Sequence, residues 1–204
     1  MLATLDKVRA PSENKTTFGI KIRNVGFILL FGAILGFLAK YTDGTTVGLI
    51  GTYLGFWIFI TTLICIYSRT PLAAAMHAFL FLLAMLAIYY IYSMLLFGFL
   101  PKYYMFAWGS IALLSPIGGF VVWYAKGMGW FAAVCAALPI SLLIVEGYNF
   151  YYTFSITSGL DLLFAVILLF FFTKDWSQRK RTVSITIVLS IVLTRIGILY
   201  YLPA

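Results

Sequence analysis

The chain has 204 residues, of which 63% are hydrophobic and only 10% charged. A soluble domain carries about 25% charged residues, so this composition excludes an ordinary water-facing surface. The net charge of +8 does not mark a nucleic-acid binder, because the cations lie between apolar runs, as topology signals do, rather than along one folded face.

The fold class that follows is all-α: a polytopic bundle of about seven transmembrane helices, with a basic tail over residues 1–24 and one helical domain over 25–204. Cys65 and Cys135 lie far apart inside apolar runs, with no CxxC or Cys/His spacing, so no metal or disulfide framework is expected. They read as small core residues.

The tail carries Lys7, Arg9, Lys15, Lys21 and Arg23, and Pro11-Ser12 breaks any helix there. No small-residue cleavage site follows the first apolar run, so the tail reads as cytoplasmic and the first span as uncleaved. Asn14-Lys15-Thr16 fits the glycosylation pattern, which has no meaning in a cytoplasmic tail.

Span 1 is expected over about Val25 to Ala39, with Lys40 snorkelling to the interface. Gly32 and Gly36 form a small-xxx-small pair that permits close helix approach. Asp43-Gly44 marks a turn. Span 2 runs from about Val47 to Tyr67, and Gly48, Gly51 and Gly55 give it a second small face. Pro71, a good first helical position, opens span 3, which continues to about Leu100. Met85, Tyr89 and Tyr92 share one of its faces.

Span 4 covers about Tyr103 to Tyr124. Its middle holds Ser115-Pro116-Ile117-Gly118-Gly119, where the proline and the pair Gly118 and Gly119 predict a kink or break. Span 5, about Met128 to Val145, carries Pro139, where a second kink or break is expected. An aromatic stretch follows. Span 6 covers about Gly159 to Thr173, Lys174 to Arg181 form a basic loop suited to anionic lipid head groups, and span 7 covers about Thr182 to Tyr201.

The cations orient this arrangement. With the N-terminus inside, eleven Lys and Arg fall on cytoplasmic segments and only Lys40 and Lys102 on outer loops. The C-terminus and the Glu146–Asp161 stretch then face outward.

Three intramembrane charges are the candidate site. Glu146 ends span 5, Asp161 opens span 6, and Arg195 lies thirteen residues beyond Thr182, about 20 Å along a helix. An ion pair of Arg195 with either acid would lower the cost of burial. Such charges are either a binding site or a structural clamp. Tyr148, Phe150, Tyr151, Tyr152 and Phe154 would line a pocket with Tyr89, Tyr92 and Trp108, suited to an organic cation or a flat heterocycle. The alternative is an interfacial aromatic belt. His77, the only histidine, suits an interhelical hydrogen bond better than a proton relay. Ser110 and Ser115 share their depth with no histidine, so no nucleophile–base pair points to an enzyme.

Phe31-Gly32-Ala33 with Gly36, the Ser115–Gly119 segment, and the Leu138-Pro139 span ending in Glu146 together resemble a family of small bacterial multi-pass membrane proteins of unknown function. The resemblance covers about residues 25 to 150 and implies no activity. The glycine-rich first span and the outward aromatic pocket also resemble substrate-capturing subunits of vitamin transporters, which have six spans with both ends cytoplasmic. The expectation is a multi-pass protein of a bacterial inner or plasma membrane, without cofactor or nucleic-acid partner. It would bind or transport a small organic solute near Glu146, Asp161 and Arg195. The alternative is a non-catalytic subunit held to a membrane protein partner by the glycine faces of spans 1 and 2.

Overall fold

The computed structural model describes residues 7–12, 17–46 and 48–197. Among them every regular element is helical: α1 (Phe18–Tyr41), α2 (Gly48–Thr52), α3 (Leu54–Tyr67), α4 (Pro71–Phe97), α5 (Lys102–Trp123), a 3-10 turn (Tyr124–Lys126), α6 (Gly129–Gly147), α7 (Phe150–Thr153), α8 (Ile156–Phe172) and α9 (Trp176–Ile196). Four helical segments are long and apolar enough to cross a membrane: Phe18–Tyr41, Pro71–Phe97, Lys102–Lys126 and Gly129–Thr153. α3 and α8 are shorter apolar helices.

Several boundaries differ from the sequence reading. α1 starts at Phe18, so Lys21 and Arg23 belong to the helix. The expected second span is two helices, α2 and α3, separated at Tyr53, whose backbone is extended. The expected basic loop is largely the first turns of α9, because Asp175 sits extended at its N-cap and helix begins at Trp176. The Asn14-Lys15-Thr16 pattern and residues 198–201 of the expected last span lie outside the described residues.

Of the kink or break expected around Pro116, a break does not occur: α5 is one helix from Lys102 to Trp123. Pro116 has no N–H to offer the carbonyl four residues back, that of Ala112. The Ser115 hydroxyl donates to the Ala112 carbonyl oxygen at 2.7 Å and takes the missing role. Pro139 likewise lies inside a continuous α6. Gly118 faces open space, while a methyl at Gly119 would stand 2.8 Å from the Ala74 carbonyl oxygen, so Gly119 lets α5 approach α4.

α4 is the hub, packed by α1, α3 and α5, while α6 holds α8 and α9. Gly32 and Gly36 of α1 lie against the carbonyls of Phe81 and Met85, so the two backbones nearly touch. One buried cluster joins Ile28, Trp57, Phe81, Met85 and Ala112, and the other joins Cys65, Ala74, Trp123, Ala136, Leu143 and Leu168. Both cysteines are free and buried.

The tail closes one end of the bundle. The Arg9 guanidinium donates to the carbonyls of Trp123 and Ile66, at the C-termini of α5 and α3, and lies 4.1 Å from the centre of the Trp123 ring. A cation suits helix C-termini, where carbonyls lack partners and the helix dipole is negative. At the same end the Gln178 amide exchanges two hydrogen bonds with the Gly129 backbone, tying α9 to the start of α6.

Ser115→Ala is expected to destabilise the protein by about 1–3 kcal/mol, the cost of one buried carbonyl without a partner. In Ser115→Ala/Pro116→Ala the restored N–H should recover most of that loss. Thermal unfolding in detergent reads both, and equal melting of the single and double variants would contradict the assignment.

Candidate functional site

The site lies at the opposite end of the bundle, where α6 finishes and α8 begins. Gly147 has no side chain, and a methyl there would stand 2.9 Å from both the Ser158 carbonyl oxygen and Leu162 Cγ. This lets α8 close onto α6 and sets Asp161 beside Glu146. On the third side, Gly55 of α3 touches both acids. A methyl at Gly55 would collide with Asp161 Oδ1 and stand 3.2 Å from Glu146 Oε2.

The two carboxyls are poorly compensated. Asp161 is 1% exposed, and its Oδ2, like Oε2 of Glu146, has no hydrogen-bond partner. The carboxyl of Glu146 does accept the Gly55 backbone N–H. Gly55 is the second residue of α3, so the acids face the positive end of a helix dipole. The salt bridge found among the described residues joins Lys40 to Asp43 at 2.6 Å, and Lys40 is buried there rather than snorkelling. Arg195 does not reach the acids: its side chain is exposed on α9, which packs mainly on α6. The expected charge triad is therefore a carboxyl pair.

The break at Tyr53 explains how Gly55 is free to serve the acids. In a continuous helix the Gly55 N–H would bond to the Gly51 carbonyl, four residues back. Here the Gly51 carbonyl instead accepts the Trp57 indole N–H at 3.0 Å, and the Gly55 N–H goes to Glu146. One forgone helix bond is thus replaced by two side-chain bonds, one on each side of the chain.

On the Trp57 side lies a cavity of about 350 Å³ walled by six aromatic rings, those of Tyr53, Trp57, Tyr89, Tyr90, Tyr104 and Trp108. It holds two of the aromatics expected in a pocket, Tyr89 and Trp108. Tyr92 instead packs on Phe37, with ring centres 4.9 Å apart. Tyr148, Tyr151 and Tyr152 are exposed, and the hydroxyls of Tyr148 and Tyr152 meet at 2.9 Å. They form a surface patch around α7 rather than a wall of this cavity. The acids do not line it either, because α3 stands between. A second, apolar cavity of about 450 Å³ between α3, α5 and α6 shares the Trp57 and Trp108 walls and includes Gly118, Gly119 and Pro139.

His77 lies towards the tail end, 2.9 Å from the Ser68 hydroxyl. That hydroxyl donates to the Ile64 carbonyl, so the His77 Nδ1–H is the donor to Ser68. Among the described residues no group of three or more His, Cys, Asp or Glu gathers for a metal ion. Sequence reasoning missed Gly147, Tyr53 and the Trp57 indole bond. The Glu-Gly pair at the end of an apolar run was the signal for the first, whereas the other two depend on the break. No family model, no curated protein and no solved structure matches the chain.

Trp57→Phe keeps the ring and removes the N–H, leaving the Gly51 carbonyl without its partner. A loss of about 1–3 kcal/mol is expected in thermal or denaturant unfolding. Gly55→Ala should also destabilise, because its methyl displaces Asp161. An unchanged melting temperature in both variants would contradict this geometry.

Proposed function

We propose that the protein is an integral membrane protein that binds or transports a small organic solute through the aromatic cavity at the Glu146 end. The observation that carries this reading is the cavity itself: six rings gathered beside a broken helix. Cavities of about 300–1,000 Å³ with mainly aromatic walls suit small molecules. Broken helices at binding sites recur in membrane transporters. The walls hold no acid, and the neighbouring Lys40 is neutralised by Asp43. An uncharged flat heterocycle, stacked between rings, fits better than an organic cation.

The proposed membrane arrangement has seven crossings: α1, the α2–α3 pair, α4, α5, α6, α8 and α9. Its N-terminus is cytoplasmic and its C-terminus outside. The eleven-to-two distribution of cations supports that orientation. The tail end, with Arg9, Arg69, Lys126 and the start of α9, then faces inward, and the aromatic cavity faces outward.

The glycine faces on which the subunit alternative rests make contacts inside this chain. Gly32 and Gly36 are used against α4, Gly51 against Ala39 of α1, and Gly55 against the acids. Those faces are spent within this chain.

The test is thermal shift of the detergent-purified protein across flat heterocycles, vitamins and organic cations, beside Trp108→Ala and Tyr89→Ala. Ligands that bind only the folded state raise its stability. A heterocycle should stabilise wild type, with at least tenfold weaker binding to Trp108→Ala. A ligand that stabilises both variants as strongly as wild type binds elsewhere, and the cavity reading fails.

A further inference from the structure

We infer that the Glu146–Asp161 pair is a proton-binding site that controls the break between α2 and α3. Three observations meet here. The first is chemical: two carboxyls share one apolar position, and Asp161 is 1% exposed with an unpartnered Oδ2. Two negative charges so placed, without a cation, are too costly to persist, so the pair must hold a neutralising species.

The second is steric. Asp161 lies so close to the α3 backbone that not even a methyl group fits at Gly55. A metal cation needs a shell of several oxygens, and among the described residues no third His, Cys, Asp or Glu joins these two acids. A proton needs only an oxygen lone pair, and Oε2 of Glu146 and Oδ2 of Asp161 each offer one. Glu146, half-buried at the bundle end, is the side from which the proton enters.

The third is the wiring of the backbone. Glu146 holds the Gly55 N–H, and Trp57 holds the Gly51 carbonyl. A charged carboxylate is the stronger acceptor for a backbone N–H. When the pair is fully protonated that advantage is lost, and the Gly55 N–H returns to the Gly51 carbonyl. The Trp57 indole is displaced, and the wall it forms in the aromatic cavity moves. The site therefore links proton binding to the shape of the cavity, and its bearing on transport rests on the solute reading above.

Other ionisable groups near the site are few. α3 carries no charged side chain, while α6 and α8 carry only Glu146 and Asp161. Arg195 on α9 and Tyr148, Tyr151 and Tyr152 around α7 are exposed. Lys40 and Asp43 pair with each other. His77 lies at the tail end beside Ser68.

The test needs no solute, so it stands or falls separately from the solute reading. The protein is labelled with 5-fluorotryptophan in lipid nanodiscs, and the five ¹⁹F resonances are assigned by single Trp→Phe substitutions. On lowering the pH, the Trp57 resonance should move while that of Trp123, at the tail end, stays. In Glu146→Gln at neutral pH the Trp57 resonance should sit at the low-pH position of wild type, and in Asp161→Asn its midpoint should shift by at least one pH unit. A pH-invariant Trp57 resonance in wild type overturns the proposal, and needs neither acid variant to fold. So does a titration that survives unchanged in both variants, or one abolished by His77→Gln. Sodium chloride that moves the Trp57 resonance at constant pH, against a potassium control, would replace the proton by a metal cation and also overturn it.

Discussion

A backbone N–H or C=O without a partner costs several kcal/mol in hydrocarbon, and in this protein nearly every irregularity is arranged around that cost. Pro116 strips a donor from the Ala112 carbonyl, and Ser115 supplies another. The α2–α3 break separates the Gly51 carbonyl from the Gly55 N–H, and Trp57 and Glu146 take one each. The carbonyls ending α3 and α5 are met by Arg9, and the Gly129 backbone by Gln178. In each case a side chain restores what the helix gives up.

These repairs differ in what they leave behind. Ser115 completes a local bond, while Gln178 and Arg9 fasten helix ends together at the tail end. The repair at Gly51 and Gly55 joins two otherwise separate places. It uses an indole that walls an aromatic cavity and a carboxyl that belongs to a buried acid pair. A continuous helix at the same position would have satisfied both backbone groups and connected nothing. This asymmetry is why the proposed function and the proposed proton site centre on the first turn of α3.

Glycine sets the distances. Gly32 and Gly36 bring α1 against α4, Gly147 brings α8 against α6, and Gly55 brings α3 against the acids. In a membrane, close backbone approach supplies much of the packing attraction between helices. The same glycines therefore hold the bundle together and define the acid pocket, so the faces that resemble docking surfaces in the sequence are already occupied.

The helical class, the apolar segments and their order were legible in the sequence, because they depend on composition and on runs of residues that act locally. So was the oddity of Glu146 and Asp161, since charges in such runs are conspicuous wherever the chain folds. The pairing of charges was not legible. Arg195 stands at a depth that suggested an ion pair, but its side chain lies on an exposed face of α9, and face is decided by how α9 packs on α6. The break was misplaced for a related reason. Pro116 is a strong local breaker, yet one neighbouring hydroxyl cancels it, whereas nothing local demands a break at Tyr53. There one alternative partner, Trp57, is close in the chain, but the other, Glu146, arrives only once α6 closes on α3. Composition and local periodicity determined what kind of molecule this is. The tertiary structure decided which charges meet and where the helix opens, because both depend on partners supplied by distant parts of the chain.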